Sequence, residues 1–229
     1  MQWGVADAAA GMLLALLASL AWGWVTRTVI IDPVGQVLGA FFAVWVPLLG
    51  SVLVASRLRG RRSLARDFAL RFRWIDLLWG VAIGLLARTA VSLIEIASSG
   101  RIAGFGARLE LPGGFLFWFG VLLAPIVIGP IVEELFFRGL VLRAVERQTG
   151  RGIGHAASAS VAVVISAMVF ALLHIAQATT VSEAWRVGAG SLVLGLATGA
   201  ATVLTGRLGA AIVGHMVFNG VLIAALLTT

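Results

Sequence analysis

The stretch that decides the fold runs from residue 115 to residue 140 and reads FLFWFGVLLAPIVIGPIVEELFFRGL. Its first 18 residues carry no charged side chain, which is typical of a membrane helix, since about 20 apolar residues cross the hydrocarbon core. Two adjacent carboxylates, Glu133 and Glu134, then interrupt the run, and Arg138 follows them. Charged side chains inside a bilayer are expensive, so these three residues are functional candidates.

The rest of the chain has the same apolar character. Of its 229 residues, 60% are hydrophobic and only 12% are charged, and the mean hydropathy is +1.05. We predict an all-α polytopic membrane protein with about seven transmembrane helices, divided into an N-terminal three-helix region (1–114) and a C-terminal four-helix catalytic core (115–229). The predicted spans are 8–31, 34–56, 74–97, 115–137, 158–177, 187–206 and 209–228. The first span lacks a basic n-region and a clear cleavage site, so we expect a retained helix rather than a signal peptide.

Arginine supplies the net charge of +7, and its distribution predicts the orientation. Segment 57–73 carries seven arginines against one aspartate, segment 138–156 carries four more, and the turn near 207 carries another. The connections on the other side, 98–114 and 178–186, are nearly neutral. The positive-inside rule therefore predicts a cytoplasmic N-terminus and an outside C-terminus. No aromatic platform is interleaved with these arginines, so nucleic-acid binding is excluded.

Two segments have patterns that predict packing rather than chemistry. Residues 60–73 place Leu64, Phe68 and Phe72 at helical spacing with arginines on the other faces, which indicates an interfacial amphipathic helix. The sixth span carries small residues close to one stripe, which favours close approach of a neighbouring helix. These small residues are Gly188, Ser191, Gly195, Gly199 and Gly206.

The two glutamates have different expected partners. Glu134 and Arg138 are four residues apart and can pair on one helix face. Glu133 lies about 100° around the helix from Glu134, so we expect it to face a polar cavity. Pro130 removes one helical hydrogen bond and should bend the helix here. A salt bridge at a helix end would explain Glu134 and Arg138, but it leaves Glu133 without a partner.

Polar residues in later spans complete a candidate site. His174 follows Phe170 by one turn in FALLH, and His215 precedes Asn219 by one turn in HMVFN. His174 alone is as readily a packing residue as a functional one. Together, one carboxylate and two imidazoles supply a general base and two ligands, which either hold a water directly or hold a Zn²⁺ that acidifies it. Arg88 and Glu95 are two turns apart, and we expect them to have a structural role.

In this order and in a membrane context, EELFFR, FALLH and HMVFN resemble the E-E-x-x-x-R, F-x-x-x-H and H-x-x-x-N motifs of the CPBP (Abi) intramembrane proteases. That family includes the type II CAAX prenyl endopeptidases. The resemblance covers about residues 115–228. It implies that Glu133 is the general base, that Glu134 and Arg138 orient it, and that Asn219 holds the water or stabilises an oxyanion. It also implies that His174 and His215 ligate a metal or position the water, with Glu133 as a third metal ligand.

The expected function is hydrolysis of a peptide bond in a membrane-associated protein or peptide, prenylated chains being one substrate class of the family. We expect a bacterial-type plasma membrane and a cavity that opens to the cytoplasm, with residues 151–160 outside the hydrocarbon and membrane entry near residue 163. Two alternatives remain. One is a non-proteolytic binding, bacteriocin-immunity or regulatory protein on the same fold. The other is a proton-coupled transporter, although paired interrupted segments are lacking.

Overall fold

The computed structural model describes residues 3–100, 102 and 113–227, and these residues form eight helices and no strand. The helices are α1 (Val5–Thr28), α2 (Pro33–Arg59), α3 (Leu64–Asp67), α4 (Ile75–Ser99), α5 (Leu116–Ile153), α6 (His155–Ile175), α7 (Val181–Thr205) and α8 (Gly209–Leu227). All except α3 are long and apolar enough to cross a membrane. The prediction of an all-α protein with seven membrane spans is confirmed. The predicted connection 98–114 and the domain boundary beside it lie largely outside the described residues.

The helices form a bundle with two distinct ends. Asp7 at the start of α1 pairs with Arg59 at the end of α2 at 2.9 Å. Asp76 at the start of α4 pairs with Arg207, which lies two residues before the start of α8. These pairs lie at what we call the basic end, formed by residues 57–73, 143–155 and 206–208. The other end, which we call the cavity end, holds residues 29–32, residues 176–180 and the C-terminus of α8.

Helix α5 is longer than the predicted span 115–137, because it continues to Ile153. No proline lies between Arg138 and Gly154, and Gly154 with a φ of 80° ends the helix. Arg138 is fully buried inside the bundle, so its assignment to a cytoplasmic connection was wrong. Helix α6 begins at His155, so residues 151–160 are helical on both sides of Gly154. No helix begins near residue 163, where membrane entry was expected.

Parts of α5 have π-helical rather than α-helical hydrogen bonding, namely residues Leu116–Ile128 and Leu135–Val141. The N–H of Gly129 accordingly donates to the carbonyl of Ala124, five residues earlier. In this register the carbonyl of Pro125 faces the nitrogen of Pro130, which carries no hydrogen. The two prolines therefore leave one main-chain acceptor of α5 without a partner in its own helix.

The amphipathic helix predicted for residues 60–73 is wrong. Only one turn, α3, is helical. The carboxylate of Asp67 accepts hydrogen bonds from the Ser56 hydroxyl at 2.6 Å and from the backbone N–H of Arg61 at 3.0 Å. Burial alone would raise the pKa of Asp67, but these bonds hold it below its ordinary value. They also fold the chain back on itself, and Ala69 with φ 54° ends the turn.

Small residues bring α6 and α7 into close contact, as the stripe in the sixth span predicts. A Cβ on Gly195 would lie 2.9 Å from the Ala167 Cα, and one on Gly199 would lie 3.1 Å from the Val163 side chain. The packing prediction is therefore confirmed at these positions. Gly206 has a different role, because it ends α7 in the left-handed region with φ 67° and has open space around it.

Candidate active site

A cavity of about 590 Å³ lies among α2, α4, α5, α6, α7 and α8. Glu133 lines it from the middle of α5, and the exposed fraction of its side chain is 15%. Apolar groups such as Phe41, Trp45 and Leu222 form much of the remaining wall. The helices of both predicted regions therefore contribute to one cavity.

Three helices bring Glu133, His174 and His215 to one point of this cavity. The Nε2 atom of His174 lies 3.9 Å from Glu133 Oε2, and the Nε2 atom of His215 lies 3.8 Å from the same oxygen. Residues that are 41 and 82 positions apart from Glu133 in the chain thus meet at its carboxylate. These distances are too long for direct hydrogen bonds and leave room for a small group between the three atoms.

The other ring nitrogens define the state of both imidazoles. His174 Nδ1 lies 2.9 Å from the backbone carbonyl oxygen of Phe170, and His215 Nδ1 lies 2.9 Å from Glu134 Oε1. Since these oxygens accept hydrogen bonds, each Nδ1 carries the proton and donates it. In the tautomer that carries its only proton on Nδ1, each ring presents the Nε2 lone pair toward Glu133. With both rings in that tautomer, three acceptor atoms converge, and a donor or a cation between them would be shared.

Glu134 points away from Glu133 and joins His215 to Arg138. Its Oε1 atom accepts from His215 and also lies 3.2 Å from an Arg138 nitrogen. Glu134 and Arg138 are both fully buried, and the guanidinium stacks over the Phe170 ring at 4.6 Å from its centroid. The predicted pairing of Glu134 with Arg138 is thus present. The carboxylate–imidazole bond to His215 was not predicted, because it depends on how α8 packs against α5.

Asn219 lies one turn after His215, and its side chain closes the gap in α5. Its amide nitrogen donates to the carbonyl oxygen of Pro125 at 2.7 Å. This carbonyl is the one that Pro130 leaves unpaired in the π-helical register. One N–H of Asn219 is therefore committed to α5, and the second N–H and the amide oxygen remain for other partners.

The donor set resembles a zinc site in chemistry but not in spacing. Two imidazole nitrogens and a carboxylate suit zinc, and the hydrogen bonds at both Nδ1 atoms are of the kind that orient metal-ligating histidines. A tetrahedral zinc with bonds of about 2.0–2.2 Å holds its ligand atoms about 3.4 Å apart, which is closer than the 3.8 and 3.9 Å seen here. Among the described residues, no group of three His, Cys, Asp or Glu is arranged to hold a metal ion.

Sequence reasoning gave Arg88 and Glu95 a structural role and did not place them in the cavity. Arg88 donates to Glu95 at 3.0 Å, as the two-turn spacing suggested, and both residues line the same cavity as Glu133. Glu183 and Arg186 line it as well, near the start of α7. No local pattern in the sequence indicates this placement, because it depends on how α4 and α7 pack around the cavity.

The cavity lies toward the end of the bundle opposite the basic segments. Its lining comes from the first halves of α2 and α7 and from the last parts of α4, α6 and α8, and it reaches Gln177 and Ala178 in the α6–α7 connection. The expectations of a cytoplasmic basic end and a cytoplasmic cavity opening therefore cannot both hold. The expectation that they share one side was wrong, because it placed the end of α5 at residue 137 instead of Ile153.

Comparison with known proteins finds a family resemblance over part of the chain. Residues 115–221 match the family model described as type II CAAX prenyl endopeptidase Rce1-like. No curated protein and no solved structure gave a significant match. The family match covers all three motif segments and supports a membrane-embedded protease. Residues 115–221, a little under half of the chain, are therefore similar to the type II CAAX prenyl endopeptidase Rce1-like family, in agreement with the CPBP resemblance of their motifs.

Proposed function

We propose that the protein is an intramembrane endopeptidase in which Glu133 activates a water molecule. The observation that carries this proposal is the convergence of Glu133 Oε2 with the Nε2 atoms of His174 and His215. A water molecule has two protons, so it can donate to Glu133 and to one of the two imidazoles at a time. The apolar cavity wall suits an extended segment of a membrane-associated protein or peptide, and prenylated chains are one candidate class of substrate.

In the proposed reaction, water donates hydrogen bonds to Glu133 and to one imidazole. Glu133 takes a proton as the water oxygen attacks the scissile carbonyl carbon, which forms a C–O bond and a tetrahedral oxyanion. The same carboxyl group then gives the proton to the leaving amine as the C–N bond breaks. The second N–H of Asn219 is the candidate donor to the oxyanion.

Glu134 and Arg138 act through His215 in this scheme. The carboxylate of Glu134 fixes the Nδ1–H tautomer of His215 and keeps its Nε2 lone pair toward the water. Arg138 offsets the charge of Glu134 where neither side chain reaches solvent. Both are therefore positioning residues, whereas Glu133, His174 and His215 would touch the reacting water.

The decisive experiment compares wild-type protein with Glu133→Gln in cells that lack the native copy. New N-termini of membrane proteins are quantified by mass spectrometry, and the substrates found are then assayed with purified enzyme in proteoliposomes. We expect Glu133→Gln to abolish cleavage while the protein still folds. The matched control is Glu146→Gln, which changes a glutamate of the same helix outside the cavity and should cleave normally.

The same assay separates the alternatives. If Glu133→Gln preserves the cellular phenotype, the protein acts as a non-proteolytic binding or immunity protein.

The zinc prediction is tested by chelation. The water mechanism derived from the observed spacing expects full activity after dialysis against a chelator, whereas a catalytic zinc would make activity disappear and return on addition of Zn²⁺.

A further inference from the structure

The net positive charge of the protein is concentrated at the basic end. Eleven of the 17 arginines lie in or beside its segments, against four of the ten carboxylates. The remainder of the chain is balanced, with six arginines and six carboxylates. Seven arginines of the basic end belong to residues 57–73, and all seven are exposed. An orientation signal needs only such a number of positive charges, not a particular arrangement.

Two of the arginines are nevertheless brought together from distant parts of the chain. Arg71, in the connection before α4, lies close enough to Arg143 of α5 for the two like charges to repel each other. The Nε atom of Arg143 is buried and has no hydrogen-bond partner among the described residues. A buried donor beside a second cation costs free energy unless an anion compensates both.

The nearby carboxylates are engaged elsewhere or compensate only in part. Asp67 already accepts bonds from Ser56, Arg61 and Ser63. Glu146 offsets part of the charge of Arg143, but Arg147 adds another positive charge beside it. Arg147 itself stacks on Trp3, and its guanidinium carbon lies 3.5 Å from the centroid of the Trp3 ring. The cluster of Arg71, Arg143 and Arg147 thus retains positive charge, and the Nε–H of Arg143 is a donor without a hydrogen-bond partner among the described residues.

Large exposed apolar side chains at the same end of the bundle indicate what kind of anion this end would meet. Leu58 is 76% exposed and Trp74 is 83% exposed at this end of the bundle. Exposed aromatic and apolar groups beside arginines are typical of the membrane–water interface, where headgroups lie. A phosphate group tethered to acyl chains would meet both features at once.

We propose that Arg71 and Arg143 bind the phosphate group of an anionic phospholipid at the basic end of the bundle. The guanidinium groups donate to the phosphate oxygens, and the acyl chains lie against the exposed apolar side chains beside them. The site is remote from the cavity, since the cavity lies toward the other end. Lipid binding is therefore expected to affect the stability of the fold and not to need an intact Glu133.

The test uses the full chain in nanodiscs made of phosphatidylcholine, with or without phosphatidylglycerol. Thermal unfolding is followed by tryptophan fluorescence, and lipids that stay bound are counted by native mass spectrometry. For the wild type we expect phosphatidylglycerol to raise the unfolding temperature and to remain bound. Arg71→Gln and Arg143→Gln should each lose most of this rise and retain one bound phosphatidylglycerol fewer.

Arg27→Gln is the matched control, because it removes an exposed arginine at the cavity end and should respond to phosphatidylglycerol as the wild type does. If Arg143→Gln does not fold, the exposed Arg71 still tests the site. An equal rise in the wild type, Arg71→Gln and Arg27→Gln would overturn the proposal. So would the same rise when inorganic phosphate is added to phosphatidylcholine nanodiscs, since the ligand would then be free phosphate.

Discussion

At the scale of single residues, the two adjacent glutamates differ because a helix turns by about 100° per residue. Glu133 faces the cavity and two imidazole lone pairs. Glu134 faces the bundle interior, where one of its oxygens meets both His215 and Arg138. A substitution that keeps the shape of Glu134 but removes its charge therefore separates positioning from chemistry.

We expect Glu134→Gln to lower kcat by about 10- to 100-fold, the usual cost of losing the partner that orients a functional histidine. KM should change little, because Glu134 does not line the cavity. The free energy of unfolding should fall by about 3–5 kcal/mol, since Arg138 would be left buried without its counter-charge. Steady-state kinetics and thermal unfolding check both effects, and an unchanged kcat would remove Glu134 from the mechanism.

At the scale of helices, α5 shows how two prolines create a place for Asn219. The π-helical register aligns the carbonyl of Pro125 with the nitrogen of Pro130, and the side chain of Asn219 from α8 supplies the missing donor. The bond ties α8, which carries His215, to the segment of α5 that carries Glu133. This contact helps to fix the distance between two residues of the candidate site.

A double-mutant cycle tests this explanation. Asn219→Leu should destabilise the protein by about 1 kcal/mol, because it leaves the part-buried carbonyl of Pro125 without its hydrogen bond. In the background of Pro130→Ala the same change should cost less, because the new backbone N–H can pair with the carbonyl of Pro125. Pro47→Ala, in the interior of α2, is the control background and should leave the cost of Asn219→Leu unchanged. Equal costs in all backgrounds would contradict the explanation.

Close packing of α6 against α7 makes a second prediction about a helix. Gly195→Ala would place a Cβ 2.9 Å from the Ala167 Cα and 3.4 Å from an Arg138 nitrogen, so backbone must shift. We expect the free energy of unfolding to fall by about 1–3 kcal/mol. We also expect a lower kcat, because the added methyl group lies against Arg138, which pairs with Glu134. Gly152→Ala, where a Cβ would have open space, should be neutral or slightly stabilising. The comparison is made by thermal unfolding in one detergent.

For the whole molecule, the number of spans and the helix faces shared by residues four apart followed from the sequence because both depend on local patterns, whereas the meeting of Glu133, His174 and His215 was expected only from the resemblance of their motifs to a family. Apolar length predicts a membrane helix, and spacings of four residues place Glu134 with Arg138 and His215 with Asn219 on common faces. What did not follow depends on contacts between distant segments. The continuation of α5 to Ile153, the bond of Glu134 to His215 and the folded-back segment around Asp67 are all of this kind.

The orientation of the molecule in the membrane is the last consequence of the fold. The basic end and the cavity lie toward opposite faces, so the positive-inside rule now predicts a cytoplasmic basic end and a cavity that opens to the outside. The chain contains no cysteine, which permits single-cysteine variants without background labelling. Ile30→Cys and Ala176→Cys mark exposed positions at the cavity end, and Arg62→Cys marks an exposed position at the basic end.

In intact bacterial spheroplasts, a membrane-impermeant maleimide should label Ile30→Cys and Ala176→Cys but should label Arg62→Cys only after permeabilisation. This pattern would mean that substrates reach Glu133 from the outer face, and it would direct the search for them to exported or outward-facing membrane proteins. The reverse pattern would contradict the positive-inside prediction and would open the cavity to the cytoplasm. Since the three variants share one fold and one label, either result assigns the side from which water and substrate enter.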